Sequence, residues 1–237
     1  MKTLNRSLIG TACLALAALV SSPAQAAFFA TICNDLACSG GDDITIQDNG
    51  AGDTIGAAGG ISFATSAFGY SLLVNTSQSK PMIGSAAAPQ LDLTFTATTN
   101  AAGGGNVFLY TSDTDFTSSG SFLLALGGTN SGGSGTVTGR AWGGSSNTAL
   151  QFSGANLIGT SGAQSGVSYS SNVAGSFSSA VNPYSLTIGA AITRTTAGTS
   201  TGDLNLQVTA VPEPETYALM LAGLAMLGAV AKRRKAA

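Results

Sequence analysis

Three stretches of this chain alternate apolar and polar residues with a period of two. QLDLTFTAT puts Leu91, Leu93, Phe95 and Ala97 on one side and Asp92, Thr94 and Thr96 on the other. YSLTIGAAIT does the same with Leu186, Ile188, Ala190 and Ile192, and DLNLQVT with Leu204, Leu206 and Val208. Only an extended strand sends successive side chains to opposite faces, so each stretch reads as a half-buried strand. Further strand candidates are DITIQ, GISFAT, GYSLLVNT, NVFLYTS, SFLLALG, TVTGRAW, TALQFS and GVSYSSNV. The segments between them, such as AAGGGN, GGTNSGGSG and GTSGAQSG, are made of residues that turns use. No convincing helix pattern occurs between Ala27 and Val211. About a dozen short strands without a βαβ rhythm predict one antiparallel β-sandwich or jelly-roll domain over residues 27–210. A β-solenoid is the alternative, but it requires a fixed short period, and the spacing here is uneven.

Charge narrows the partners. Between Ala27 and Val211 the basic residues are Lys80, Arg140 and Arg194, against nine aspartates, a net charge of −6. Phosphate binding needs clustered lysine and arginine, so neither nucleic acid nor an anionic lipid surface is an expected partner. The chain contains no histidine, which removes Ser-His-Asp and Cys-His nucleophile arrangements and most zinc and haem sites.

The remaining candidates for chemistry are few. Cys33 and Cys38, in CNDLAC, are expected to form a local disulfide in an oxidising compartment. GGDDITIQDNGAGD is the densest carboxylate stretch, so Asp43, Asp48, Asn49 and Asp53 form a candidate Ca²⁺ set. Its spacing fits no EF-hand loop, and Asp or Asn before Gly is also ordinary turn chemistry. Asp113 and Asp115, in YTSDTDFT, are the candidate carboxylate pair for a glycoside-acting hydrolase. Trp142, with Arg140 on the same strand face, is the candidate platform for stacking on a sugar ring. The competing reading makes Trp142 a core residue. No cofactor is implied.

The two ends differ from the body. MKTLNRSLIGTACLALAALVSSPAQA has a positive start at Lys2 and Arg6, an apolar stretch from Leu8 to Val20, and the small-residue cleavage site Ala24-Gln25-Ala26. Residues 1–26 are thus expected to be a signal peptide, a helix taken by Sec-type export machinery and removed by signal peptidase. At the other end stand Val211, Pro212, Glu213 and Pro214, an apolar run over about 217–231, and the basic cluster Lys232, Arg233, Arg234 and Lys235. The prolines lack backbone donors and fix φ, so this strip stays extended, which is a conformation a protease can grip. The apolar run is expected to be a transmembrane helix whose basic tail stays cytoplasmic.

That order of elements over residues 211–237 resembles the PEP-CTERM sorting signal of exopolysaccharide-producing Gram-negative bacteria. The resemblance implies a partner, the membrane protease exosortase. It also implies transient insertion in the inner membrane by the C-terminal helix, then release to the cell surface or extracellular matrix. For the body it implies a structural or interaction role in an extracellular matrix. Together with the absence of a catalytic constellation, this gives a non-catalytic matrix protein as the expectation, with a carbohydrate-binding module for exopolysaccharide, using Arg140 and Trp142, as the alternative.

Overall fold

The computed structural model describes residues 27–100, 104–144, 146–152, 154–210 and 219–227. Twelve strands follow one another: β1 (Phe29–Cys33), β2 (Ile44–Gln47), β3 (Gly60–Ala67), β4 (Tyr70–Gln78), β5 (Gln90–Thr99), β6 (Gly105–Phe116), β7 (Gly120–Ser131), β8 (Gly135–Gly143), β9 (Leu157–Thr160), β10 (Ser168–Phe177), β11 (Tyr184–Arg194) and β12 (Gly198–Ala210). They form two six-stranded sheets, in the orders β2-β1-β6-β11-β8-β9 and β10-β7-β12-β5-β4-β3. The strand pairs are antiparallel. The result is a jelly-roll-like two-sheet domain, as the alternation predicts.

The core lies between the sheets and takes one residue in two from each strand. Leu91, Leu93, Phe95 and Ala97 from β5 are fully buried there, as are Ile188, Ala190 and Ile192 from β11 and Leu204 and Leu206 from β12. Each completely buried Leu, Ile or Phe contributes about 1.5–3 kcal/mol relative to exposure. This two-sided burial fixes register, because a one-residue slip would turn the whole apolar set outward.

Glycine has a structural task inside these strands. Four large rings each lie over a glycine directly opposite on the neighbouring strand: Phe95 on Gly202, Tyr110 on Gly189, Tyr169 on Gly128 and Phe122 on Gly175. A Cβ at any of the four would run into the ring. Turn composition therefore misleads at GGTNSGGSG, where β7 continues through Gly127 and Gly128 to Ser131. The described residues of TALQFS, 148–152, form no strand, whereas β1 and β9 are strands that the alternation does not announce.

The expected flanking helices need correction. Among the described residues the C-terminal helix, α1, runs over 219–227, with its apolar side chains exposed. No helix among the described residues is long and apolar enough to cross a membrane. The expectation of a transmembrane helix over 217–231, and with it of transient inner-membrane insertion through that helix, is therefore overturned. The signal peptide of residues 1–26, Val211, Pro212, Glu213, Pro214 and the basic cluster Lys232, Arg233, Arg234 and Lys235 lie outside the described residues.

Candidate binding face

The two sheets present different outer surfaces. That of the first sheet is covered. Phe108 and Tyr110 from β6 and Trp142 from β8 form a second apolar cluster with Cys33, Cys38, Leu150 and Phe152. Trp142 is only 2% exposed and packs edge-on against Tyr110 and Phe152, with ring centroids 5.7 Å away in each case. Its faces are enclosed by these rings, which is how a core residue packs. Arg140, half-buried on the same strand face, is close enough to pull the Tyr110 phenol down against the stronger upward push of burial. The Cys33–Cys38 disulfide is present, with Cα atoms 5.2 Å apart. Its loop is pinned to the cluster by Tyr110, whose hydroxyl donates to the Leu36 carbonyl at 2.8 Å.

The aspartate sets are dispersed. Asp48 and Asp53 both serve one turn. Asp48 accepts from the Gly59 amide, and Asp53 accepts from the amides of Asn49, Ile55 and Ser62. Asp43 stands apart, beside Cys33 and Cys38. Burial raises its pKa, helped by the negative charges of Asp35 and Asp42. Asp113 is fully buried between the sheets, where its Oδ2 accepts from Lys80 Nζ at 2.8 Å and from Ser79 Oγ at 2.5 Å. Burial pushes this carboxyl up, and the Lys80 ammonium opposes the shift. Asp115 turns elsewhere and binds Asn147 through its Oδ1 at 2.6 Å. The two carboxylates named for hydrolysis thus have separate structural partners.

The outer surface of the second sheet is open and polar. β5 contributes Asp92, Thr94, Thr96 and Thr98, and β12 contributes Thr199, Thr201, Asp203, Asn205 and Gln207. Thr98 stands opposite Thr199, with their hydroxyls at 2.9 Å, and Thr201 stands opposite Thr129 of β7, at 2.8 Å. Asp92 is opposite Asn205, whose amide donates to it at 3.4 Å. Burial, then the adjacent charge of Asp203, raises the Asp92 carboxyl to about 6. One row of hydroxyls crosses the sheet through Ser131, Thr199, Thr98, Ser71 and Ser66.

That row ends in a cleft of about 590 Å³ at the β3–β4 turn, lined by Ser66, Phe68, Ser71, Thr98 and Asn100 among others. Phe68 is half-buried and has a φ of 53°, a left-handed conformation uncommon for a bulky residue. Its ring packs on the edge of the core. The alternation marked the Thr faces as outward. It gave no sign of Phe68, which belongs to a turn and to no periodic pattern.

Comparison with known proteins adds one decisive match. Residues 210–235 fit the family model described as the PEP-CTERM protein-sorting motif. The chain carries a PEP-CTERM sorting motif. It is an exported protein bearing an exosortase-recognition signal, and the PEP-CTERM segment begins where β12 ends, at Ala210. No curated protein matches the chain. Among solved structures it resembles the enzymatically active domain of bacteriophage CBA120 tailspike protein 4, with a TM-score of 0.34 and 8% identity. That likeness covers 60% of this chain and 19% of the tailspike chain, and it carries no argument about activity.

Proposed function

We propose that the body is a non-catalytic protein of the cell surface or extracellular matrix. It holds neutral polysaccharide along the open face of the second sheet, with Phe68 as the stacking point. The observation that carries this reading is the continuous hydroxyl row from Ser131 to Ser66, opening into the Phe68 cleft, on a protein sorted by a PEP-CTERM signal. Sugars are recognised by hydroxyl and amide partners together with an apolar ring face, and concave sites with a few convergent polar groups are where ligands bind. Neutral sugars fit better than acidic ones. Two of the body's three basic side chains are engaged internally, Lys80 with Asp113 and Arg194 with Ser131, Thr196 and Ser200.

Hydrolysis finds less support. A retaining glycosidase needs carboxyl groups about 5–5.5 Å apart across a cleft. Asp113 and Asp115 are committed to Lys80 and Asn147, and Asp92 and Asp203 are neighbours on an open face. The test is retention on the host's own neutral exopolysaccharide by affinity electrophoresis. Phe68→Ala should lose retention while Trp142→Phe keeps it. Retention that survives Phe68→Ala together with Thr98→Val and Thr201→Val would sink the proposal, as would no retention of the native protein.

A further inference from the structure

Two sheets have four edges, and three of them are blunted. β2 and β9 are four residues each, and β2 is flanked by Asp42, Asp43 and Asp48. β3 is capped by the preceding segment. The Thr54 amide donates to the Ser62 carbonyl at 2.9 Å, and the Ser62 amide donates to Asp53 at 3.1 Å. The fourth edge, β10, is different. It runs for ten residues, SYSSNVAGSF, in unbroken register with β7. Among the described residues no backbone group of β10 bonds to anything on its far side. It contains no proline, no bulge and no charge. Indeed no ionisable acid or base of the Asp, Glu, Lys or Arg type occurs between Arg140 and Arg194.

Long edge strands without such guards are templates for another strand, and proteins that remain monomeric usually guard them. We infer that β10 pairs antiparallel with β10 of a second copy of this chain, joining the two second sheets into one continuous sheet. A second copy is the fitting occupant because this is the uncharged side of a body of net charge −6. Two copies therefore meet there without opposing like charges. Register follows from the faces. Even-numbered residues of β10 point outward and are exposed, whereas Tyr169, Val173 and Phe177 pack on the core side. Both copies keep their faces only if even residues oppose even residues. With Asn172 opposite Asn172, Val167, which is 78% exposed, comes to lie against the partner's Phe177. The pairing needs no polysaccharide, so it stands or falls apart from the binding face.

Sedimentation of the exported protein over a concentration series tests this directly. The expected result is a monomer–dimer equilibrium that Ser170→Lys with Ala174→Lys abolishes while leaving the melting temperature unchanged. As an independent readout, Asn172→Cys should give a covalent dimer on mild oxidation. Directly opposed antiparallel Cα atoms, about 4.5–5.5 Å apart, are within disulfide reach. Ser121→Cys, on the interior strand β7, should not cross-link. A monomer at every concentration, a dimer indifferent to the two lysines, or absence of the Asn172→Cys cross-link would each overturn the inference.

Discussion

Lys80 reaches between the sheets to Asp113, also donates to the Thr114 carbonyl, and rests over the Phe116 ring at 3.9 Å. Its removal strands a buried carboxylate. Lys80→Met should cost about 3–5 kcal/mol in urea unfolding, and adding Asp113→Leu should restore much of it, because a buried pair is worth less than the damage of halving it. Asp92 titrates in the opposite sense to a stabilising carboxylate. Its folded pKa, about 6, lies above its ordinary 3.8, so the folded state binds this proton more tightly than the unfolded chain. The cost of burying this charge, with the repulsion of Asp203 added to it, is present above pH 6 and is relieved as the pH falls from 6 toward 3.8. The melting temperature should therefore be higher at pH 5 than at pH 7, and Asp203→Asn should reduce that rise in part, since burial remains. Trp142→Ala should destabilise by about 3–5 kcal/mol through the cavity it leaves under Phe152.

At the level of strands, the pairing of rings with glycines makes a sharp forecast. Gly189→Ala puts a methyl where the Tyr110 ring lies, and should cost about 1–3 kcal/mol by overpacking, although alanine is the smaller perturbation in an ordinary strand. Chemical denaturation of the variant measures it. The same pairing explains what the sequence could and could not announce. β5 and β12 were legible because each has one buried face and one wet face, which writes a period of two into the residues. β11 keeps that period although small and hydroxyl residues such as Ser185, Thr187 and Gly189 are buried on its other face. β1 is buried along most of its length, and β9 is only four residues long, so neither carries that period. Gly128 reads as turn chemistry until Tyr169 is seen lying across it, a contact between strands far apart in the chain. Trp142 had two readings in the sequence, ligand platform or core, and Phe152 arriving from outside the strands gives it the surroundings of the second. The Thr faces of the binding surface were visible, but Phe68 was not, since a turn conformation with positive φ leaves no periodic trace.

For the molecule as a whole, the sorting motif predicts a shorter mature product. Intact mass of the protein recovered from the native host should correspond to a chain beginning at Ala27 and lacking Lys232 to Lys235. Recovery of a chain that still carries the basic cluster would count against processing at the motif. One topological detail bears on when the body becomes itself. Among the described residues β12 is the last strand, yet it sits mid-sheet between β7 and β5 and supplies Leu204, Leu206 and Val208 to the core. Ribosomes deliver a chain N-terminus first, so β5 and β7 wait with their facing edges bare until the final segment arrives. Such late, distant pairing makes folding slow. The strand that closes the sandwich and the signal that addresses it are contiguous. Only a chain synthesised through both β12 and the motif can therefore be finished and sorted, and a product truncated before β12 would be left open and unaddressed at once.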